Sequence, residues 1–490
     1  MAGTTGPSAR EASDRTLVRG IAWTGAARGV TQVLSWASTL VVVRLLTPAD
    51  YGLVGMATLY LGLIRLVSEF GLGSAVLVLR DLTKSQIEQL NSFSLLFGLG
   101  GFALAGIAAI PFGAFLHAPA LPAVIVASST VSIISSLRSV PSALMQRDQL
   151  FKHLSSIDMA RATVGVITVV VLALLGFGYW SLVWNEVLSA AAATGLTIWF
   201  RRTGFRWPQL SALRSAMRFS GQVLVSRIAW YSYSNSDFLV AGRILGQAAL
   251  GAYSLAWTLT NLPIDKVTTL VMTVASTFFS KAREDYAEVR RYLLVLTEGL
   301  AAIAFPVSLG LALTADDFVH VVLGDKWAGA VGPLRLLALY ASLRSISPLV
   351  ALALTMTGRV RHTMLNSIWS AIVLPPSFWI GSHWGPTGIA AAWAVVFPFL
   401  TIHLYRPLFT EIGLAARDYL RALLPALAGC IALGTAVLGV RIVAGDWLPR
   451  SARLATEVSV GIIAYSLLWA TLFRPRVVAF RAVIRRARNG

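Results

Sequence analysis

The chain has 490 residues, of which 56% are hydrophobic and 13% charged, and its mean hydropathy is +0.71. A soluble domain carries about a quarter charged residues, so this composition excludes a soluble fold and requires an integral membrane protein. The net charge of +19 would otherwise suit nucleic acid, but here it marks one arginine-rich membrane face, and no nucleic-acid partner is expected.

The opening stretch MAGTTGPSAREASDRTLVRG is polar and basic. The apolar run behind it is too long for a signal-peptide core and lacks a convincing cleavage site, so a retained first helix is expected. A spanning helix needs about 20 mostly apolar residues. Fourteen such spans are expected: 17–45, 52–75, 88–114, 119–142, 154–176, 179–200, 216–243, 248–276, 292–314, 331–356, 363–382, 385–405, 418–441 and 455–473. Their Gly, Ala and Leu content points to helices rather than a barrel. Alternate loops are rich in arginine and lysine, from Arg80 and Lys84 to Arg406, Arg417 and Arg421, as are both termini. The other loops are poorer, although Arg441, Arg450 and Arg453 crowd the last one. The bias places both termini in the cytoplasm, which an even span count also requires.

Segment 201–218, RRTGFRWPQLSALRSAMR, reads as an interfacial linker, with Trp207 and Leu210 among headgroups and the arginines on anionic lipid. Segment 281–291, KAREDYAEVRR, reads as a charged cytoplasmic helix or loop, and a solvated connector is the plainer account of both. Cys430 is the only cysteine, which excludes an intramolecular disulfide.

The string RLLTPADYGLVGMA from Arg44 interrupts the apolar pattern, and RILGQAALGAYSLA from Arg243 repeats it at an offset of 199. Leu46 falls on Leu245, Ala49 on Ala248, Gly52 on Gly251, Ala57 on Ala256 and, upstream, Arg28 on Arg227. Six spans separate the copies, so the repeat is parallel, and each copy is the hairpin between the first two helices of a bundle. The expected fold is therefore an all-α polytopic membrane protein of about 14 transmembrane helices. It comprises a six-helix bundle over 1–200, a cytoplasmic amphipathic linker over 201–215, a second six-helix bundle over 216–410, and two further helices with a basic tail over 411–490.

RLLTPADYGLVGMA, followed by EFGLGSAVL from Glu69, resembles the start of the oligosaccharide flippase and polysaccharide exporter family. That family lies within the multidrug/oligosaccharidyl-lipid/polysaccharide exporter superfamily, and the colanic-acid-exporter-like branch is the most similar. The resemblance implies a V of two six-helix bundles with two added helices. It further implies transfer of an undecaprenyl-pyrophosphate-linked oligosaccharide across the bacterial inner membrane, for exopolysaccharide, capsule or O-antigen assembly. A polysaccharide polymerase and its chain-length machinery would be further partners.

Ionisable residues inside spans are costly and default to functional candidates. Arg28 and its repeat partner Arg227 fall near mid-membrane, as does Arg65, with Glu69 one turn further on the same face. In the second bundle NLPIDKVTTL puts Asp265 and Lys266 at nearly the same level, and Pro263 is expected to break the helix there. Arg28, Arg65, Arg227 and Lys266 thus form the expected pyrophosphate pocket, since arginine stays charged and binds bidentately. Glu69, Asp265, Asp237 and Glu186 are the expected charge partners or ion-coupling groups. The alternatives are fixed salt bridges for Arg65–Glu69 and Asp265–Lys266, and snorkelling for Arg44, Arg243 and Asp237 near helix ends. Arg138, Asp158 and Arg161 are assigned to the inner surface against lipid phosphates, and Glu298 to a proton site or a hydrogen-bonded structural role. Trp180, Trp184 and Tyr231 suit either sugar stacking or interfacial anchoring.

No phosphate-binding G-x-x-x-x-G-K-[ST], metal-ligand spacing or G-x-S-x-G elbow occurs, so no cofactor, metal or catalytic residue is expected. A drug/cation antiporter of the same superfamily would prefer acids in the cavity. A membrane polymerase or glycosyltransferase would need a larger external loop than ADDFVHVVLGDKW, which reads better as a gating or interfacial segment.

Overall fold

The computed structural model describes residues 34–69, 76–77, 82–209, 230–232, 234–281, 285–444, 447–474 and 476. Among them the chain forms two compact units, Met1–Ser232 and Tyr233–Gly490. Arg28, Arg227 and the side chain of Glu69 lie outside the described residues.

The first unit holds α1 (Leu34–Leu45), α2 (Pro48–Glu69), α3 (Lys84–Phe115), α4 (Leu121–Arg147), α5 (Phe151–Leu174) and α6 (Trp180–Phe200). The second holds α7 (Ser236–Val240, continued by a wide turn to Leu245), α8 (Gly246–Lys281), α9 (Tyr286–Phe318), α10 (Val331–Met356), α11 (Val360–Gly381), α12 (Gly385–Glu411), α13 (Ala416–Ala444) and α14 (Arg450–Thr471). Nine stretches of described chain are long and apolar enough to cross a membrane. Two of them are double, broken at Gly246 and at Ser382–Trp384. With α1, α2 and α6 these give the described residues the all-α architecture of a multi-pass membrane protein.

The polar interruption after Arg44 is a helix start. Thr47 donates to Asp50 Oδ2 through its backbone N–H (2.8 Å) and hydroxyl (2.7 Å), and Asp50 N–H returns a bond to Thr47 Oγ1 (3.2 Å). This reciprocal cap, with Pro48 in the first turn, satisfies donors that a helix end leaves bare. Asp50 Oδ1 meanwhile accepts from the backbone N–H of Tyr179 at 3.2 Å, tying the α1–α2 hairpin to the start of α6. Thr83 and Gln86 cap α3 in the same reciprocal way.

Close helix contacts rest on small residues, as membrane packing favours. A Cβ on Gly98 of α3 would lie 2.4 Å from Ser136 Oγ on α4, and Ser94 donates to the Ser136 carbonyl alongside (2.9 Å). At the α11–α12 corner a Cβ on Gly388 would lie 2.0 Å from the Gly381 carbonyl, so only glycine fits. Pro263 does not break its helix: α8 runs continuously from Gly246 to Lys281. A membrane helix accommodates proline because neighbouring groups can satisfy the freed carbonyl.

The described part of the 201–215 linker, residues 201–209, has no regular secondary structure. It is strapped to the first turns of α3. Asn91 donates to the Gly204 carbonyl (3.2 Å), Arg206 N–H to Ser92 Oγ (3.0 Å) and Gln209 N–H to Gln89 Oε1 (3.0 Å). The acidic half of segment 281–291 serves as the start of α9, where Asp285 accepts from Ala287 and Glu288.

In the second unit the α13–α14 hairpin is clamped along α9. Arg441 holds Glu457 with two bonds (2.8 and 3.2 Å) and also donates to the Leu313 carbonyl (2.7 Å). Arg453 forks onto Asp317, with Nε 2.7 Å from Oδ2 and a second contact from Nη2 to Oδ1. Tyr465 donates to the Ala302 carbonyl (2.7 Å), and Arg476 pairs with Glu298 at 2.8 Å. Glu298 is thus in an ion pair, and ADDFVHVVLGDKW is the end of α9 followed by one wide turn, Val319–Leu323, and one tight turn, Asp325–Ala330. Asp317 and Glu457 are buried, with side chains 1% and 0% exposed. Removing one member of such a pair strands a charge, whereas replacing both with apolar groups need not destabilise. Arg453→Met should therefore destabilise the protein by about 3–5 kcal/mol, and adding Asp317→Leu should restore most of the loss. Thermal unfolding of the purified variants in detergent checks both.

Candidate functional site

The first unit contains a polar cleft of about 330 Å³ among α1, the first turn of α2, α5 and α6. Ser35, Ser38 and Thr39 line it from α1, Asp158 and Arg161 from α5, and Asn185 and Ser189 from α6. Hydroxyls and an amide on this scale offer both donors and acceptors to a neutral polar ligand.

A group of charges from four helices adjoins the cleft. Arg65 of α2 pairs with Glu186 of α6 at 2.5 Å, and Arg138 of α4 reaches Asp158 of α5 at 3.4 Å. Arg161 feels the fields of Arg138, Arg65, Asp158 and Glu186 together. It makes no direct ion pair among the described residues. Three guanidinium groups against two carboxylates leave one net positive charge beside hydrogen-bonding walls. Such a place can hold an anion bearing polar substituents.

The Arg65–Glu186 pair is open, with side chains 43% and 34% exposed. Glu186, a residue expected to serve as a charge partner, is thus the partner of Arg65 among the described side chains. Asn185 sits beside it, where a Cβ on Gly165 would lie 2.7 Å from Asn185 Oδ1; glycine at 165 gives that amide its room.

In the second unit Asp265 pairs with Arg344 of α10, not with Lys266. Adjacent residues on a helix point about 100° apart and do not face each other, so a partner on another helix wins. Arg344 also lies over the Trp257 ring, 6.0 Å from its centroid. Lys266 is exposed and makes no ion pair among the described residues.

Asp237 neither snorkels nor lines an open cavity. It is fully buried, and its Oδ2 accepts from Tyr253 Oη (2.6 Å) and Trp393 Nε1 (2.8 Å). Phe238, Trp257 and Tyr340 continue the aromatic cluster around these donors. The other oxygen, Oδ1, has no hydrogen-bond partner among the described residues. Tyr231 likewise is fixed, donating to the Leu59 carbonyl (2.9 Å) across Gly62.

Of the eight residues expected at the site, the described structure brings Arg65 and Glu186 together, places Asp265 and Lys266 side by side on α8, and buries Asp237 apart. Arg161 and Asp158 line the cleft, and Arg138 reaches it through its pair with Asp158. Arg344, thirteen residues into α10, was not singled out in the sequence, and its distance from the helix start was the available signal.

A family model for polysaccharide biosynthesis proteins matches residues 41–332, more than half of the chain. The chain belongs to this family. Lipopolysaccharide biosynthesis protein WzxC of Escherichia coli K12 is 24% identical, over 86% of this chain and 88% of its own. Succinoglycan biosynthesis transport protein ExoT of Rhizobium meliloti is 26% identical, over 66% of each chain. Among solved structures, the lipid II flippase MurJ in an inward closed conformation superposes with a TM-score of 0.75 at 13% identity, covering 93% of this chain and 99% of its own. That likeness fixes the fold.

The charge arrangement makes opposite predictions for two family-member variants. Arg161→Gln should weaken inorganic pyrophosphate binding roughly tenfold, the worth of one charge-assisted hydrogen bond. Glu186→Gln should tighten it by releasing Arg65 from its internal competitor. Calorimetric titration of the purified chain with pyrophosphate reads both signs.

Proposed function

We propose that this protein is a flippase. It carries undecaprenyl-pyrophosphate-linked oligosaccharide repeat units from the cytoplasmic to the periplasmic face of the bacterial inner membrane, for exopolysaccharide, capsule or O-antigen assembly. The observation that carries this reading is the convergence of Arg65, Arg138 and Arg161 beside a hydroxyl-lined cleft within the membrane-spanning region. Such charges are retained in a membrane only where they have a polar task. The relatives' names supply the context, as WzxC is a lipopolysaccharide biosynthesis protein, ExoT a transport protein and MurJ a lipid II flippase.

In this mechanism the arginines take the pyrophosphate, the serine, threonine and asparagine side chains take the sugars, and the lipid tail stays in the bilayer. Arg28, Arg227 and Lys266 are proposed to complete the cationic path, with Glu69 as a charge partner and Asp265 acting through its pair with Arg344. Asp237 is the proposed coupling group, because a buried carboxylate with one unbonded oxygen is a place to accept a proton. Access alternates between faces as the bundles 1–200 and 216–410 move, with 411–490 carried along as an added hairpin. Both termini are cytoplasmic in this reading. The protein performs transport rather than catalysis, needs no cofactor, meets anionic lipid at its basic face, and hands its product to a polymerase with its chain-length machinery.

Deleting the chain from its host should strand complete lipid-linked repeat units on the cytoplasmic face. Extraction and sidedness labelling of the undecaprenyl-linked pool checks this. Units that reach the periplasm but stay unjoined would instead indicate a polymerase, and an unchanged pool would indicate a small-molecule antiporter. Arg65→Ala should reproduce the stranding while the variant still inserts at the wild-type level.

A further inference from the structure

The second unit has a larger cavity that the transport reading does not use. It is an apolar groove of about 890 Å³ where α10, α12 and α13 meet. Leu343, Pro398, Ile402, Phe409 and Leu420 form its walls, and the α12–α13 turn at Gly413–Ala416 closes one end. Ile402 and Leu420 are 66% and 59% exposed, so the walls are open to whatever surrounds the protein.

The closed end is basic, and its acids are already engaged. Glu411 is held by Arg359 (2.7 Å) and by the Tyr286 hydroxyl (3.0 Å), and Asp418 by Arg421 (3.5 Å). Arg290 donates to the Gly413 carbonyl at 3.1 Å. Arg406, which lines the groove, and Arg417, one residue past it, have no acidic partner among the described residues. Two guanidinium groups without an acidic partner among the described residues, Arg406 in the lining and Arg417 next to it in sequence, at the basic end of an apolar slot call for an amphiphile with an anionic head. Each basic residue near a membrane surface contributes about 1 kcal/mol toward anionic lipid.

Length selects the kind of amphiphile. Along α12 the groove runs from Pro398 to Thr410, twelve residues or about 18 Å. One leaflet of the hydrocarbon core is about 15 Å deep. The slot therefore fits the acyl chain of one leaflet phospholipid and is too short for a long polyprenyl tail.

We propose that this groove is a binding site for an anionic glycerophospholipid of the bilayer, its phosphate on Arg406 and Arg417 and an acyl chain between α10, α12 and α13. The bound lipid covers the exposed walls and neutralises the two arginines, bracing the α12–α13 corner. The site is independent of the transported substrate.

The test is thermal unfolding of the full chain in a neutral detergent with added dioleoyl phosphatidylglycerol or dioleoyl phosphatidylcholine. Phosphatidylglycerol should raise Tm by about 2 °C or more beyond phosphatidylcholine, as expected for a ligand bound to the folded state alone. Arg406→Gln with Arg417→Gln should abolish that difference. Ile402→Trp, which obstructs the groove without touching a charge, should abolish it too. Arg361→Gln, a basic position outside the groove, should leave it intact. Equal shifts with the two lipids in the wild type, or an undiminished difference in both groove variants, would overturn the proposal. So would loss of the difference in Arg361→Gln, or undecaprenyl phosphate displacing phosphatidylglycerol from the wild-type protein.

Discussion

A carboxylate carried into a water-free layer must be met by a donor, and that requirement shapes the packing of every region described above. Acids along the described helices find their partners on other elements. Glu186 meets Arg65, Asp265 meets Arg344, Asp317 meets Arg453, Glu457 meets Arg441, and Glu298 meets Arg476. Asp237 uses two neutral donors, Tyr253 and Trp393. Apolar packing between helices is tolerant of sliding, because one leucine face resembles another. Each of these contacts has one geometry, so together they fix the register at which the helices lie. The net stabilisation from such pairs is small, since desolvation offsets most of the attraction.

Exposure divides the pairs into two kinds. Asp317 and Glu457 are sealed, with their arginines bound bidentately, and have no room for another partner. They belong to the hairpin clamp on α9. Arg65–Glu186 and Arg344–Asp265 are open, and their oxygens and nitrogens remain reachable. A sealed pair can only be broken at the cost of a stranded charge, whereas an open pair can exchange one partner for a ligand. The same division explains the last loop of the second unit, whose arginines break the charge bias of the sequence. Arg441 and Arg453 are consumed by buried acids, so they carry no information about which side of the membrane they face.

The number and order of the helices were legible because hydrophobic length is a one-dimensional property. Thr47, Pro48, Asp50 and Gly52 announced a hairpin for the same reason: caps and turns are local. Ion-pair partners were not legible. Arg65 meets a residue 121 positions away, because α6 brings Glu186 within reach. Only the packing of α2 against α4, and of α4 against α6, produces that approach. The cleft was not legible either, because Asp158 and Arg161 come to line it only where α1, α5 and α6 meet around them.

The cleft in the first unit has a built-in competition that bears on release. In the proposed flippase a pyrophosphate must draw Arg65 away from Glu186, so part of the binding free energy is spent on breaking an existing contact. That lowers affinity in the loaded state and leaves Glu186 ready to recapture Arg65 when the ligand departs. Arg161, with no direct acid to displace, supplies attraction without that penalty. A transporter needs both, because a site that binds an anion through free cations alone would hold it in place. The single net positive charge of the group, rather than the full three of its arginines, is the compromise between capture and release that the geometry embodies.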